Sequence, residues 1–412
     1  MPGAREARRP FAGRRVLLGV TGGIAAYKAV QLARDLTLAG ATVDVVLTGG
    51  AQEFVRPLTF EALSGRAAHT SLYPSGDPNL HVRLAREADL VVVAPATANF
   101  MARAAAGMAD DLLAAILLAT PAPVLICPAM NDRMYAHPAS AANRERLRGF
   151  GYALAGPGVG PLAWGEGEGP GRMLEPDEII AHAGRALEGD SPLAGRRVVV
   201  TAGPTREAID PVRYIGNRSS GRMGYEIAAA AWRRGAEVLL VSGPSHLHPP
   251  VGVEVRKVES AEEMRAAVAE ALPSAEVLVM SAAVADFRPA DPAGEKLKKE
   301  AGGVPEIRLE KTADVLASTR ELRPAGCVVV GFALETVDAV GNGRRKLEAK
   351  GLDLLVVNDA REPGAGFEVE TNRVTFLQPG RDDEALPLMP KSEVADHILD
   401  RVVEIAGAKR GS

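Results

Sequence analysis

Residues 14–49 read RRVLLGVTGGIAAYKAVQLARDLTLAGATVDVVLTG. A short run of β-branched residues and leucines leads into a Gly-Gly turn, an amphipathic stretch closed by Gly40, and a second apolar run. This order is typical of a β-α-β unit, in which a helix joins two parallel strands. The stretch therefore predicts an α/β fold built on a parallel sheet.

A second stretch, residues 196–243, repeats the pattern with RRVVVTAGPT, a longer loop, the helical IAAAAWRRG and the apolar AEVLLVSG. Further apolar runs at 89–95, 122–128, 275–283, 326–333 and 353–359 supply more strands. Uninterrupted apolar runs are typical of strands that helices cover on both faces. The sequence predicts two doubly wound, Rossmann-like domains, residues 1–190 and 191–412, divided by a polar Gly/Ser/Pro segment within 181–195.

The composition excludes several classes of function. The 412 residues carry 48 Lys and Arg against 52 Asp and Glu, a net charge of -4, which argues against a nucleic-acid or membrane-surface binder. Two cysteines, Cys127 and Cys327, cannot build a disulfide framework and predict a reducing, cytoplasmic compartment. The apolar segment 112–130 contains three prolines, so we expect a helix, a turn and a strand rather than a membrane span.

Polar and Gly-containing turns follow the strands of the first domain. The Thr21-Gly22-Gly23 turn suits phosphate at a helix start, although it also fits a plain βα turn. It is not G-x-G-x-x-G, and Thr48 stands where an NAD site has an acidic residue. An NAD(P) oxidoreductase is therefore disfavoured, and a mononucleotide such as FMN fits better.

Other candidates have both a functional and a structural interpretation. His81, at the start of a helix, is either a general base or a solvated histidine. Lys296, Lys298 and Lys299 form either a solvated charge cluster or a phosphate contact. The Gly-rich segment 156–173 predicts a flexible functional loop rather than a core element.

The order of the motifs resembles a known family. TGGIAAYK, His81, APATAN, PAMNDRM and GPGRM resemble the flavin-dependent cysteine decarboxylases. TAGPTREAIDPVRYIGNRSSGRMG, SAAVADFRP, EKLKK, GFALET and NDA resemble the phosphopantothenate–cysteine ligases. Over residues 13–405 the chain thus resembles the bacterial bifunctional phosphopantothenoylcysteine decarboxylase/phosphopantothenate–cysteine ligases of coenzyme A synthesis.

For the first half, the resemblance implies a flavodoxin-like flavoprotein domain that uses FMN to decarboxylate 4′-phosphopantothenoylcysteine to 4′-phosphopantetheine. His81 and Asn131 would be the catalytic residues. The resemblance places FMN on Gly22, Gly23, Ile24, Thr48, Ala96, Thr97 and Asn99, and the substrate on Asn131, Met134, Arg172 and Met173.

For the second half, the resemblance implies a ligase domain that activates 4′-phosphopantothenate with CTP and Mg²⁺ as an acyl-cytidylate, which the amine of cysteine then attacks. Asn217 and Lys296 would be catalytic. CTP would contact Met280, Ser281, Ala282, Asp286, Lys296, Lys311, Thr312, Ala313, Phe332, Lys346 and Lys350. The resemblance also implies a homo-oligomer with trimeric decarboxylase and dimeric ligase domains.

The chain departs from this pattern ahead of GPGRM. The family usually has a cysteine there as the acid of the final reduction, and this chain has Trp164. A thiol suits that proton transfer because its pKa lies closer to neutrality than that of most alternatives. We expect Glu166, Glu168 or a bound water to replace it. The alternative is a flavoprotein that binds but does not catalyse.

Overall fold

The computed structural model describes residues 10–297, 306–335, 338–359 and 369–411. Its residue contacts divide between Gly189 and Asp190 into two compact units. Each unit has its own sheet and its own core. Lys298 and Lys299 lie outside the described residues.

The N-terminal unit alternates strands and helices. In chain order it contains β1 (Arg15–Val20), α1 (Ala26–Leu38), β2 (Thr42–Leu47), α2 (Pro57–Ser64), α3 (Leu80–Glu87), β3 (Leu90–Ala96), α4 (Ala98–Ala106), α5 (Leu112–Ala119), β4 (Val124–Pro128), α6 (Asp132–Ala136), α7 (Pro138–Gly149), β5 (Ala153–Leu154), β6 (Gly158–Pro161), β7 (Glu168–Arg172) and α8 (Pro176–Glu188).

Five parallel strands form its sheet in the order β2-β1-β3-β4-β5. This is the order of flavodoxin-like doubly wound sheets. The side chains of β1 alternate between two cores, with Leu18 in one and Leu17 in the other. Because helices cover both faces of the sheet, the side chains on both faces of the strand are apolar. The sequence of the strand is therefore a continuous apolar run. The predicted α/β fold is confirmed for this unit.

The Gly-rich segment 156–173 does not form the predicted loop. It contains the antiparallel hairpin β6–β7, which we call the flap. Gly165 and Gly167, at φ 84° and 82°, provide the turn that joins the two strands. The Met130 amide donates to the Gly171 carbonyl at 3.0 Å, so the flap lies against the loop that follows β4.

The C-terminal unit repeats the alternation and ends in a long helix. It contains β8 (Arg197–Ala202), β9 (Arg206–Ala208), β10 (Tyr214–Gly216), α9 (Arg222–Arg233), β11 (Glu237–Ser242), β12 (Glu254–Lys257), α10 (Ala261–Ala271), β13 (Val277–Met280), β14 (Phe287–Pro289), β15 (Leu309–Lys311), α11 (Val315–Ser318), β16 (Val328–Glu335), α12 (Ala339–Lys350), β17 (Leu354–Asp359), β18 (Thr371–Asn372), β19 (Val374–Leu377), β20 (Glu384–Ala385), β21 (Met389–Pro390) and α13 (Lys391–Gly411).

Its sheet has eight strands in the order β12-β11-β8-β13-β16-β17-β19-β20. The first six are parallel, as a doubly wound domain requires. At one edge β19 pairs antiparallel with β17, and β20 pairs antiparallel with β19. Helix α13 packs on α9 through Arg234, whose guanidinium is buried and donates to Asp396 at 2.8 Å and to Asp400 at 2.9 Å. Lys391, the first residue of α13, lines the same cavity as the first residues of α9.

The segment 112–130 divides as predicted. It forms α5 and β4, separated by the Pro121–Pro123 turn. In the part of the chain that the structure describes, no helix is long and apolar enough to cross a membrane.

Candidate functional sites

Each unit has a cavity at the carboxyl ends of its parallel strands, where open α/β sheets bind ligands. The N-terminal cavity has a volume of about 780 Å³, within the range of small-molecule sites. Most of the predicted FMN and substrate residues line it, namely Gly22, Gly23, Ile24, Thr48, Thr97, Asn99, Asn131, Met134, Arg172 and Met173. Among the described lining residues, Ala96 and His81 are absent.

The Gly-Gly turn after β1 forms one wall of this cavity. A Cβ on Gly22 would lie 2.6 Å from the carbonyl carbon of Gly50, so only glycine lets the two turns approach this closely. The N-cap residue of α1, Ala25, provides no side-chain hydrogen bond. The amides at this helix start therefore suit a phosphate group.

Two threonines fix the neighbouring turn. The Thr21 hydroxyl donates to the Pro95 carbonyl at 2.7 Å and accepts from the Thr97 amide at 3.1 Å. Thr97 caps α4 by accepting from the Phe100 amide at 3.3 Å. Ala96 lies between them, completely buried at the end of β3, and its carbonyl accepts from Ala129 at 3.0 Å. Ala96 therefore holds the loops rather than lining the cavity.

Three large apolar side chains around the cavity are exposed. Ile24, Tyr27 and Met134 have exposed fractions of 62%, 61% and 49%. Apolar groups that line a cavity while exposed favour a ligand with a large apolar face. Together with the phosphate-suited turn, they fit the flat ring and the phosphate of FMN.

Asn131 is oriented by the backbone. It is the N-cap of α6, and its Oδ1 accepts from the Arg133 amide at 3.0 Å. Its Nδ2 donors are then the atoms available to a ligand. An amide that donates hydrogen bonds can orient a carboxylate without the stabilisation that a full positive charge would give.

An ion pair with one buried partner connects the cavity to the end of the flap. Lys28 of α1 is 7% exposed, and its Nζ lies 2.8 Å from Oε1 of Glu175, the N-cap of α8. Glu175 also pairs with Arg172 at the end of β7. The hydrogen bond from Lys28 holds the pKa of the Glu175 carboxyl below its ordinary value. This cluster fixes the C-terminal end of the flap against the cavity.

The flap places its two glutamates differently. Glu166 lines the cavity, whereas Glu168 is not one of the described lining residues. Trp164 is fully exposed at the tip of the hairpin. Both cysteines are buried. Burial raises the pKa of the Cys127 thiol and raises that of the Cys327 thiol to about 11.

The C-terminal cavity, of about 690 Å³, is bounded by the ends of β13, β16 and β17 and the start of α9. It brings together nearly all the predicted ligase residues, namely Asn217, Met280, Ser281, Ala282, Asp286, Lys311, Thr312, Ala313, Phe332, Lys346 and Lys350. Lys296 is not among its described lining residues.

Lysines give this cavity a positive wall. Lys346 lines the cavity and donates to the carbonyl of Phe332 at 3.0 Å. Lys350 pairs with Asp314 at 3.0 Å. Burial raises the pKa of Asp314, but hydrogen bonds from the Ala317 amide and Lys350 outweigh it and hold this pKa below its ordinary value. Such a wall suits a polyphosphate.

Hydrogen bonds fix the loops around the cavity. The Ser281 hydroxyl donates to the Thr201 carbonyl at 2.6 Å, and the Thr312 amide donates to the Asp286 carbonyl at 3.0 Å. Asn217 donates from Nδ2 to the carbonyls of Ala283 and Val284 at 3.0 and 3.2 Å. Its side chain thus joins the segment before α9 to the loop after β13.

The described residues contain no cluster of side chains that could bind a metal ion. No group of three or more His, Cys, Asp or Glu side chains within them could hold an ion.

Asp210 fixes the segment that carries Lys296. Its side chain is completely buried and accepts from the amides of Val212 and Arg213 at 2.8 Å, from Arg213 Nε at 2.9 Å and from the Leu297 amide at 3.2 Å. Arg213 also donates to the Leu297 carbonyl at 2.9 Å. These bonds hold the pKa of Asp210 well below its ordinary value, the side-chain bonds from Arg213 most of all.

Family models match both units. The model described as "Flavoprotein" matches residues 4–186, and the model described as "DNA/pantothenate metabolism flavoprotein C-terminal domain" matches residues 193–405. The coenzyme A biosynthesis bifunctional protein CoaBC of Vibrio cholerae is 46% identical over 398 residues, which cover 96% of this chain and 99% of that protein. The chain belongs to the coenzyme A biosynthesis bifunctional protein family.

The CoaBC protein of Bacillus subtilis is 46% identical over 399 residues, 95% of this chain and 97% of that protein. Among solved structures, the C-terminal domain of a CoaBC protein is 38% identical and covers 53% of this chain and all of that one, with a TM-score of 0.46. Membership of the CoaBC family confirms the family resemblance that the motif order indicated.

Sequence reasoning missed several residues of this family member's sites. Lys28 is the last residue of the quoted motif TGGIAAYK. A lysine eight residues after β1, in the first turn of the helix that follows, could have been predicted to lie near the cavity. Asp210 and Arg213 lie in the quoted segment IDPVR, but their contact with Leu297 joins positions 87 and 84 residues apart. Only the fold brings them to the Lys296 segment.

Asp210→Asn tests whether Lys296 acts from this fixed position. Asparagine offers one acceptor oxygen to the donors that Asp210 satisfies, so the segment would lose its attachment. We expect kcat/KM for CTP in the implied ligation to fall at least about tenfold, or about 1.4 kcal/mol. The measurement is pyrophosphate release at varied CTP.

The matched control is Asp291→Asn, which changes a mostly exposed carboxylate paired with Arg308 in the same region. It should leave the ligation unchanged. Equal ligation by the Asp210→Asn variant and the control would contradict the positioning role of Asp210.

Proposed function

We propose that the protein makes 4′-phosphopantetheine in two steps, one in each unit. The C-terminal unit joins cysteine to 4′-phosphopantothenate with CTP, and the N-terminal unit decarboxylates the product with FMN. Membership of the CoaBC family supports coenzyme A biosynthesis by ligation and decarboxylation. The observation that carries the assignment is the contrast between the two cavities, one lined by lysines and one by a Gly-Gly turn and apolar side chains.

In the ligase step, the carboxylate of 4′-phosphopantothenate attacks the α-phosphorus of CTP. A C–O–P bond forms, the bond to the β-phosphate breaks, and pyrophosphate leaves with the bonding electrons. Lys311, Lys346 and Lys350 line the cavity and neutralise the negative charges that must come together. The cysteine amine then attacks the acyl carbon, and CMP leaves.

Mg²⁺ would bind mainly to phosphate oxygens in this cavity. Asp286 is a carboxylate among the lining residues and suits a hard cation. Because the described residues contain no cluster of protein ligands, water and the triphosphate would complete the coordination.

In the decarboxylase step, the flavin would supply two redox functions: the oxidation that lets the cysteinyl carboxylate leave as carbon dioxide, and the reduction that follows. The backbone at Gly22–Ile24 would hold its phosphate, and Met134 would lie against the bound molecules. Asn131 donates hydrogen bonds to the substrate carboxylate without a full charge that would oppose its loss as carbon dioxide. The flap contributes Arg172 to the lining of the same cavity.

We propose that a second copy of the chain completes the decarboxylase site. His81 lies on α3, outside the described lining of the cavity that holds Asn131. Its buried Nδ1 has no hydrogen-bond partner among the described residues. A trimer of N-terminal units would bring His81 of one copy to the cavity of the next, and the ligase units would pair as dimers. Sedimentation of the isolated protein as a monomer would refute both arrangements.

The reducing cytoplasm is the proposed location. Two buried free thiols and the absence of a spanning helix in the described ranges are compatible with it.

The whole assignment is tested by incubating the purified protein with 4′-phosphopantothenate, cysteine, CTP and Mg²⁺. Mass spectrometry should detect 4′-phosphopantothenoylcysteine, CMP and pyrophosphate, followed by 4′-phosphopantetheine and carbon dioxide. Accumulation of 4′-phosphopantothenoylcysteine without decarboxylation would support the ligase proposal for the C-terminal unit. It would refute the decarboxylase proposal for the N-terminal unit.

Asn217→Asp should separate the two halves of ligation. An aspartate would place negative charge against the Ala283 and Val284 carbonyls that the amide now contacts, and the loop would lose its position. We expect pyrophosphate release to persist while amide formation falls at least about a hundredfold, or about 3 kcal/mol. Quenched samples should contain the acyl-cytidylate. Amide synthesis at the original rate would refute the role.

Glu166→Gln tests the replacement of the missing thiol. Glu166 lines the cavity, and we propose that its carboxyl group supplies the proton for the final reduction. Its loss should slow release of 4′-phosphopantetheine about 10²–10⁴-fold and let the oxidised enethiol accumulate. Glu168→Gln is the matched control on the same hairpin and should keep the original rate. Equal rates in both variants would favour a bound water as the acid.

A further inference from the structure

Three side chains of the C-terminal cavity have no role in the scheme above. Asn358, Asn372 and Lys391 line it together with the CTP residues. They come from three places in the chain, namely the end of β17, β18 and the first residue of α13.

The sheet edge brings these three residues together. Asn358 is opposite Val374 in the antiparallel pair β17–β19, and Asn372 precedes Val374 by two residues. Asn372 is opposite Met389 in the pair β18–β21, and Lys391 follows Met389 by two residues. The three side chains therefore form one patch of the cavity wall.

Both asparagines carry an acceptor oxygen for which the described residues supply no donor. Asn372 is 1% exposed, and Asn358 is partly buried. The Oδ1 atoms of both are shielded from solvent and accept no hydrogen bond from any residue within the described ranges. A buried acceptor without a donor costs free energy, so such a pair of oxygens in a cavity wall is suited to a ligand that donates.

Lys391 adds a buried positive charge to this patch. It is 4% exposed, and its amide donates to the Glu370 carbonyl at 3.0 Å. Burial and the nearby Arg222 lower the pKa of Lys391, while Glu226 opposes them. The start of α9 lines the same cavity at Ser219–Gly221, and its amides also favour an anion.

We propose that this patch, which we call the amino-acid subsite, binds the cysteine substrate of the ligase. The carboxylate of cysteine pairs with Lys391 near the start of α9, and its amine donates to Oδ1 of Asn358 and of Asn372. This inference rests on the proposed ligase function and identifies where that reaction takes its third substrate.

The subsite also prepares the amine for reaction. Cysteine arrives with an ammonium group and loses one proton to solvent before attack. The neutral amine keeps two N–H donors on the two amide oxygens, and its lone pair attacks the acyl carbon. A C–N bond forms, the C–O bond to the phosphate breaks, and CMP takes the electron pair. The remaining excess proton on nitrogen then leaves to solvent.

The other ligands of the cavity fit this patch less well. Phosphate oxygens only accept hydrogen bonds at neutral pH, so two acceptor oxygens would repel the triphosphate of CTP. The positive charge of Lys391 disfavours a divalent cation beside them. A small molecule with an anionic group and an amine offers a negative charge to Lys391 and N–H donors to the two Oδ1 atoms.

Lys391→Met, with cysteine and cysteamine compared as substrates, tests the subsite. Cysteamine has the same amine and thiol but no carboxylate. We expect the variant to raise the apparent KM for cysteine at least about tenfold and to leave that for cysteamine unchanged. Asn372→Leu should impair both substrates alike, because it removes a contact with the amine. Release of pyrophosphate from CTP and 4′-phosphopantothenate alone should be retained in both variants.

Lys257→Met, a change to an exposed lysine of β12, is the matched control and should alter none of these values. An unchanged KM for cysteine in Lys391→Met, or a raised KM for CTP instead, would overturn the proposal. If Lys391→Met does not fold, Lys391→Gln, which removes the charge but keeps a polar side chain, must lower the use of cysteine relative to cysteamine. An unshifted ratio overturns the proposal equally. Failure of the original protein to release pyrophosphate would instead refute the ligase function.

Discussion

Parallel pairing of the strands determines where chemistry can occur in this protein. Each unit has a central strand with a parallel neighbour on either side, β1 between β2 and β3, and β8 between β11 and β13. A parallel ladder requires a crossover after every strand, so all carboxyl ends meet at one edge. The loops at that edge are free of core packing and can carry polar groups. Both cavities lie there.

Close approach of backbones shapes these edges. A Cβ on Gly22 would overlap the backbone of Gly50, and a Cβ on Gly224 would lie 2.5 Å from that of Ala202 and 2.6 Å from Oγ of Ser281. Glycine at these places lets a turn or a helix lie directly on the sheet, which brings backbone amides to the cavity. The glycines thus connect the packing of each unit to backbone amides that suit a phosphate group.

The sequence predicted what depends on local patterns. Apolar runs located the parallel strands, and the family motifs that follow those strands located most residues of both cavities. The flap was predicted as a loop because its strands consist largely of glycines and polar residues. They lack the apolar residues by which a strand is recognised in a sequence. Lys296 and His81 were assigned by motif alone, and the structure places neither on the described lining of its cavity. Asn358, Asn372 and Lys391 become neighbours only through antiparallel pairing at a sheet edge, which no local pattern reports.

The two cavities differ in how they treat positive charge, and this difference follows from the two reactions. Lys28, Arg103 and Arg172 are the basic residues of the N-terminal lining within the described ranges, and each is paired with Glu175 or Asp111. A carboxylate that must leave as carbon dioxide gains nothing from an unpaired cation, which would stabilise it most before the reaction. The ligase must instead collect a triphosphate and two carboxylates. There three lysines, Lys311, Lys346 and Lys350, line the cavity. Neutral amide contacts therefore fit the site that removes a carboxylate, and lysines fit the site that assembles anions.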